Sequence, residues 1–244
     1  MTRPAPGFTL LELMVALVLA AVVLTALLHL VASLSRGLLV QQSLGQIQSQ
    51  ARYAEQQLAR RAASAGFHPA PWHGAMPDPV TGSSEAADGS RLTLRQWSAK
   101  NCLGNDNPVV DGDGIPEVFV RVSEWRLTSD QRLVETCHYG PPGSPGTRQL
   151  NASTRIEQVE AFRVQFGEDL DNDKRTDRWV AAGAWFNPDQ LLGLRFGLLL
   201  ASPLRTGARH PGTLQLLGQD IPVPDDGRLR LAVVRTVAFE GRRP

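Results

Sequence analysis

The chain has 244 residues, which is enough for one ordinary globular domain and an additional segment. Its 25 Lys and Arg residues nearly balance its 24 Asp and Glu residues, and the formal net charge is +1. Because the basic residues are scattered and the net charge is small, we predict no direct contact with nucleic acid. Phosphate-binding loops, nucleophile elbows and zinc-protease motifs are absent from the sequence, so we predict that the chain is not an enzyme and needs no catalytic cofactor.

The N-terminal segment, residues 8–31, is apolar except for one carboxylate, Glu12. About 24 residues at 1.5 Å each span the roughly 30 Å hydrocarbon core of a bilayer. A removable secretory signal is one explanation, but such signals have shorter apolar runs and more charge than the single Arg3 that precedes this one. A plain membrane anchor explains the length but not the carboxylate, which costs about 2.5–3.5 kcal/mol inside a membrane.

A third explanation accounts for the carboxylate. Residues 7–12, GFTLLE, resemble the processing site of type IV prepilins, GFTLxE. The resemblance implies that a prepilin peptidase removes residues 1–7 by cutting after Gly7, and that the new N-terminal Phe8 is methylated. It also implies that Glu12 attracts the α-amino group of a neighbouring subunit as the helices bundle, so Phe8 and Glu12 carry assembly. An ammonium and a carboxylate attract strongly in apolar surroundings, where each alone is unfavourable.

The helical pattern continues beyond the membrane and assembly half, and it becomes amphipathic over residues 32–66. The apolar stripe recurs at steps of three or four residues and consists of Val40, Leu44, Ile47, Ala51, Ala54, Leu58, Ala62 and Ala65. Gly66, followed by Pro69, is typical of a helix end. We therefore predict one helix over residues 8–65, whose second half packs on a sheet of the same chain.

Strand-like segments follow an irregular Pro- and Gly-rich connection over residues 67–90. They alternate apolar and polar residues or are mostly apolar, and turn residues separate them. The predicted strands cover residues 91–95, 117–127, 133–137, 156–166, 191–201 and 229–239. We predict an α+β fold in which an antiparallel sheet of the globular domain, residues 67–244, covers the amphipathic half of the helix.

Two stretches resemble PilW-type minor pilins in particular. Residues 48–67, QSQARYAEQQLARRAASAGF, are similar to that family's helix end, RFAL..L.RDLR.AGY, with Arg61 where the family has an acid. Residues 159–180, VEAFRVQFGEDLDNDKRTDRWV, are similar to VE.LQVRYG.D.DGDG..DRYV. The resemblance implies a minor pilin that sits in the inner membrane with a periplasmic globular domain and then enters the pilus at the cell surface. It also implies that other minor pilins and the major pilin are its partners and that it primes filament growth.

The minor class is favoured over the major pilins, which usually carry a kinking proline in the apolar helix and a disulfide loop near the C-terminus. The apolar helix of this chain has no proline, and its cysteines lie mid-chain. Two other functions stay open. One is a J-type pseudopilin of a type II secretion system, which shares the outline of the N-terminal helix. The other is a membrane-anchored periplasmic module that binds calcium.

A possible calcium site lies in residues 169–177, DLDNDKRTD, because the spacing of their carboxylates suits oxygen-ligated Ca²⁺. The candidate ligands are Asp169, Asp171, Asp173 and Asp177. The stretch departs from an EF-hand, since Lys174 replaces the glycine and Val180 replaces the final glutamate. A solvated turn, in which Asp side chains cap backbone N–H groups, is the alternative.

The two cysteines, Cys102 and Cys137, lie in no CxxC pair and near no cluster of metal ligands. If the domain lies outside the cytoplasm, we expect a disulfide between them, and two free buried thiols are the alternative. The bond would close a loop of about 35 residues and contribute roughly 4 kcal/mol to stability in the chain-entropy model.

Overall fold

The computed structural model describes residues 7, 9–69, 78–86, 89–108, 114–141, 144, 148–149, 154–210 and 212–240. This part of the chain contains one long helix and twelve strands. The helix, α1, spans Leu10–Ala63 without interruption. Its 54 residues give it a length of about 81 Å. The helix stops just before Gly66, which adopts the left-handed conformation with φ of 74° that favours glycine at a helix end.

The strands pair antiparallel throughout the described residues. They are β1 (Ser84–Ala86), β2 (Gly89–Ser98), β3 (Phe119–Leu127), β4 (Leu133–Gly140), β5 (Arg148–Gln149), β6 (Arg155–Ile156), β7 (Val159–Glu168), β8 (Arg178–Ala181), β9 (Leu191–Ala208), β10 (Thr213–Leu216), β11 (Gln219–Pro222) and β12 (Gly227–Ala238). A short 3-10 turn, Pro188–Gln190, precedes β9.

These strands form two main sheets and a hairpin. The first sheet has the order β1-β2-β3-β4-β5, and β6 also pairs with β4. The second sheet has the order β12-β9-β7-β8, and β10 and β11 form the hairpin. The α+β class with a helix packed on antiparallel strands is therefore confirmed, but the strands divide between two main sheets where the sequence predicted one.

The amphipathic half of α1 packs against β9 and β12 of the second sheet. Its buried apolar residues are Ile47, Ala51, Ala54, Leu58, Ala59 and Ala62. Four of these are alanines, and their small side chains let the helix lie close to the sheet. The same apolar core takes in Trp125 from β3, Phe162 and Phe166 from β7, and Phe196 from β9, so it joins both sheets to the helix.

A disulfide joins Cys102 and Cys137, whose Cα atoms are 5.9 Å apart. It ties the loop after β2 to the middle of β4, and both cysteines are buried in a small cluster with Phe119 and Tyr139. The crosslink holds together a region that lies outside the main apolar core.

The end of α1 is fixed to the first sheet by an ion pair. Arg61 Nε lies 2.7 Å from Oε1 of Glu135, a buried residue of β4. The hydroxyl of Ser123 donates to the same oxygen, and the hydroxyl of Thr154 donates to Oε2 at 3.0 Å. A cation in the last helical turn is also favoured by the helix dipole. Arg61, at the position where PilW-type proteins carry an acid, therefore anchors the helix in this chain.

Candidate functional site

The first half of α1 has no partner within the described part of the chain. Every residue over 10–38 is exposed, and each large apolar side chain there is more than half exposed. By length and composition this segment is suited to cross a membrane. An apolar surface that surrounds a helix on all sides is unstable in water. This half of α1 therefore requires lipid or other apolar helices around it.

The Glu12 carboxylate is held at the start of the helix by a capping box with Thr9. Glu12 Oε2 accepts hydrogen bonds from the Thr9 backbone N–H and from the Thr9 hydroxyl, both at 3.0 Å. In return, Thr9 Oγ1 accepts a hydrogen bond from the Glu12 N–H at 3.3 Å. Oε1 accepts no hydrogen bond from the described residues, so half of the carboxylate is open to a partner outside the chain.

Thr9 is a helix-capping residue that the prepilin resemblance did not single out. Its signal was present in the sequence, because Thr followed by Glu three residues later is the pattern of a capping box. Since Thr9 and Glu12 both lie after Gly7, a cut at Gly7 would keep both residues in the chain. The capping box satisfies one of the two Glu12 carboxylate oxygens within the chain.

The predicted processing site lies at the boundary of the described residues. Gly7 is exposed, and a Cβ atom built on it meets no other atom within 4 Å. Phe8, which we predict to carry both processing and assembly, lies outside the described residues. The open surroundings of Gly7 mean that the fold itself does not require glycine at this position.

The second candidate site is the loop over residues 169–177, which connects β7 to β8. One carboxylate oxygen from each of Asp169, Asp171 and Asp177 lies within 4.8 Å of the other two. Asp173 is not part of this group, and its Oδ1 accepts a hydrogen bond from the Arg175 N–H at 2.7 Å. The structure thus brings together three of the four carboxylates that the spacing predicts. Lys174 adopts a left-handed φ of 68°, the conformation for which an EF-hand uses glycine.

Glu168, the last residue of β7, anchors the base of this loop. Its buried carboxylate accepts hydrogen bonds from Arg178 Nε and Nη2 at 2.9 and 2.6 Å. Its other oxygen accepts from the backbone N–H groups of Phe186 and Asn187 at 2.6 and 3.2 Å. Burial acts to raise the pKa of Glu168, but the Arg178 guanidinium and the two N–H groups outweigh it and hold the pKa below its ordinary value.

Acid is expected to destabilise the globular domain in part through Glu168. The pKa of Glu168 is lower in the folded chain than the ordinary value of 4.5. The ion pair between Glu168 and Arg178 therefore makes its full contribution to the free energy of unfolding above pH 4.5. The contribution is lost as the pH falls from 4.5 through the lower folded-state pKa. Glu168→Gln should lower the free energy of unfolding by about 1.5–3 kcal/mol near neutral pH, because it weakens charge-assisted hydrogen bonds.

Urea unfolding of the wild type and Glu168→Gln, followed by tryptophan fluorescence, measures this effect. The gap in unfolding free energy between the two proteins should narrow as the pH falls from about 6 to about 3. Asp173→Asn, which removes a carboxylate from the exposed part of the same loop, serves as the control. A gap that stays constant over this range contradicts the assigned role of Glu168.

Comparison with known proteins gives two matches to protein families. The family described as Type IV Pilus-assembly protein W matches residues 137–240, a stretch that runs from β4 through β12. The family described as Prokaryotic N-terminal methylation motif matches residues 3–28, which include Gly7 and Glu12. A search of curated proteins finds no match.

Among solved structures, a type IV-like pilin from Thermus thermophilus is similar to this chain, with 21% sequence identity and a TM-score of 0.49. The aligned region covers 80% of this chain and 96% of that one. The two family matches fall on separate segments, which include the GFTLLE motif and residues 159–180, whereas residues 48–67 lie outside both matches. The two family matches together support a PilW-like protein of the type IV pilin superfamily.

Proposed function

We propose that this protein is a minor pilin that co-assembles into type IV pilus filaments through α1 and primes their growth. The observation that carries this proposal is the fully exposed apolar half of α1 with one carboxylate, Glu12, at its start. Residues 10–38 extend about 44 Å beyond the part of the helix that the sheets cover. Lipid surrounds this segment before assembly, and the same segment of other subunits replaces the lipid in the filament.

Charge at Glu12 sets the register of that assembly. After the cut at Gly7, each subunit presents a new ammonium group at Phe8, close to the start of the helix. An ammonium and a carboxylate about 4 Å apart attract with about 4 kcal/mol at an effective dielectric constant of about 20. The open Oε1 of Glu12 is available for this contact while Oε2 stays bound to Thr9. A subunit that docks out of register leaves both charges unpaired in apolar surroundings.

The proposed function also implies where in the cell the protein is processed and where its globular domain lies. The prepilin peptidase processes the chain at the inner membrane, and the globular domain lies in the periplasm. Other minor pilins and the major pilin are its partners, and the chain reaches the cell surface within the pilus. The disulfide between Cys102 and Cys137 is compatible with an oxidising compartment such as the periplasm.

Deletion of the gene tests the proposed function. We expect loss of surface pili with normal levels of secreted enzymes, and return of pili when the gene is supplied in trans. The tagged chain should also be recovered with sheared filaments, in amounts far below the major subunit. Loss of secreted enzymes with normal piliation would instead identify a pseudopilin of the type II secretion system and would contradict the proposal.

A further inference from the structure

We propose that the loop between β7 and β8 binds a calcium ion through the carboxylates of Asp169, Asp171 and Asp177. This site lies outside the assembly segment, and its existence does not depend on the filament role. Four observations support it: an unsatisfied buried oxygen, free oxygens on the other two carboxylates, their separations, and the local charge.

Asp169 provides the buried oxygen. The residue is only 2% exposed, and its Oδ2 accepts a hydrogen bond from the Lys174 N–H at 3.0 Å. Its Oδ1 is buried and has no hydrogen-bond partner. An ionised oxygen that is shielded from water and lacks a donor is strongly unfavourable. A bound cation at this oxygen removes that penalty.

The other two carboxylates are exposed, and each uses one oxygen within the loop. Asp177 Oδ2 accepts from the Leu170 N–H at 2.6 Å, and Asp171 Oδ1 accepts from the Asp173 N–H at 3.1 Å. The second oxygen of each accepts no hydrogen bond from the described residues. The loop therefore orients both carboxylates while leaving one oxygen of each available to an ion.

The separations suit calcium. Oxygens that share one Ca²⁺ at about 2.4 Å lie at most about 4.8 Å apart, when they are on opposite sides of the ion. One carboxylate oxygen from each of the three residues lies within 4.8 Å of the other two. Calcium takes six to eight oxygen ligands in flexible geometry, and two of these three residues face solvent, so water can complete the shell.

The nearby cations form no direct ion pair with this group. Arg175 Nε is 3.9 Å from Asp173 Oδ2, and Asp173 is the carboxylate that stands outside the group. Among the described residues, neither Lys174 nor Arg175 forms an ion pair with Asp169, Asp171 or Asp177. A divalent cation has the charge and the oxygen affinity to bind three carboxylates in this arrangement.

The full chain in detergent, stripped with a chelator and titrated with CaCl₂ in a calorimeter, tests this site. We expect one ion per chain with a Kd near 10⁻⁴ M, which is about the affinity of extracellular calcium modules. Calcium should also raise the Tm of the globular domain, since it binds only the folded loop. MgCl₂ should bind at least tenfold more weakly.

Two variants with the same charge change separate direct ligation from general electrostatics. Asp171→Asn and Asp173→Asn each remove one exposed carboxylate, and asparagine keeps the oxygen that accepts a hydrogen bond from the N–H two residues further along the chain. Asp171→Asn should weaken calcium binding at least tenfold, whereas Asp173→Asn should weaken it less than threefold. Because both residues are exposed, neither change is expected to prevent folding.

Three results would overturn the calcium site. The first is the absence of both a heat of binding and a shift of Tm up to about 10 mM CaCl₂, a concentration well above the Kd of the weakest extracellular calcium sites. The second is equal weakening by Asp171→Asn and Asp173→Asn, which would indicate a diffuse charge effect. The third is equal affinity for magnesium and calcium. All three are read on the isolated chain, so they are distinct from any failure of filament assembly.

Discussion

Glu12→Gln is expected to yield a chain that is cut and methylated but does not enter filaments. Glutamine preserves the capping box, since its side-chain oxygen still accepts the Thr9 N–H, but it removes the negative charge. The lost attraction to a neighbouring ammonium, about 4 kcal/mol at a separation of about 4 Å, corresponds to far more than a tenfold loss of incorporation. Immunoblots of sheared filaments, normalised to the membrane pool of the same chain, measure this loss.

Thr9→Val is the matched control for the Glu12 variant. It removes the hydroxyl that caps the helix while it keeps the carboxylate at Glu12. Loss of a helix cap costs about 1 kcal/mol, so incorporation should fall by less than tenfold. If Glu12→Gln enters filaments normally and Thr9→Val does not, then Glu12 acts as a helix cap and the pairing role is wrong.

Gly7→Ala is expected to block processing completely and so to exclude the chain from filaments. The added methyl group meets no atom of the folded chain within 4 Å, so stability of the fold should not change. The effect must therefore arise in the peptidase, which by resemblance requires glycine before the cut. Without the cut there is no free ammonium at Phe8, and Glu12 has no partner on a neighbouring subunit.

The mass of the membrane-extracted Gly7→Ala chain measures this outcome, because an uncut chain keeps the mass of residues 1–7. Ala5→Gly is the matched control, since it removes one methyl group from the same leader and should be cut normally. A Gly7→Ala chain that is shortened like the wild type would show that processing does not occur at this position.

The long helix and the long strands were predictable because the spacing of apolar residues repeats many times along each of them. The predicted helix, residues 8–65, differs from α1 by two residues at each end. The predicted strands overlap the six longest ones, β2, β3, β4, β7, β9 and β12, but several bounds differ, and β9 continues seven residues past its predicted end. The missed strands have two to four residues, which is too short for alternation to be recognised. Division into two sheets depends on which strands pair, and pairs such as β12 with β9 are set by packing between distant segments.

The predictions for Gly7 and Glu12 rest on chemistry that is local in the chain. Both residues belong to the GFTLLE motif, and the capping pattern at Thr9 was available in the same six residues. The spacing of the loop aspartates did not reveal that Asp173 lies outside the group formed by the other three. The spacing also gave no sign that Asn172 and Lys174 adopt the left-handed backbone conformation.

Contacts between distant segments gave no signal in the sequence. Glu135 binds Arg61 across 74 residues, so no local pattern connects them. Glu168 pairs with Arg178 because the two residues face each other in the β7–β8 hairpin. The short strand β8 was not predicted, and the register of that hairpin was therefore unknown.

The N-terminus of the wild-type protein, extracted from membranes and read by tandem mass spectrometry, tests the central claim most directly. We propose that Glu12 is tolerated among apolar side chains because an ammonium freed at Phe8 of a neighbouring subunit compensates its charge. We therefore predict a mature chain that begins at Phe8 with a methylated α-amino group. A mature chain that begins at any other residue would contradict this role of Glu12.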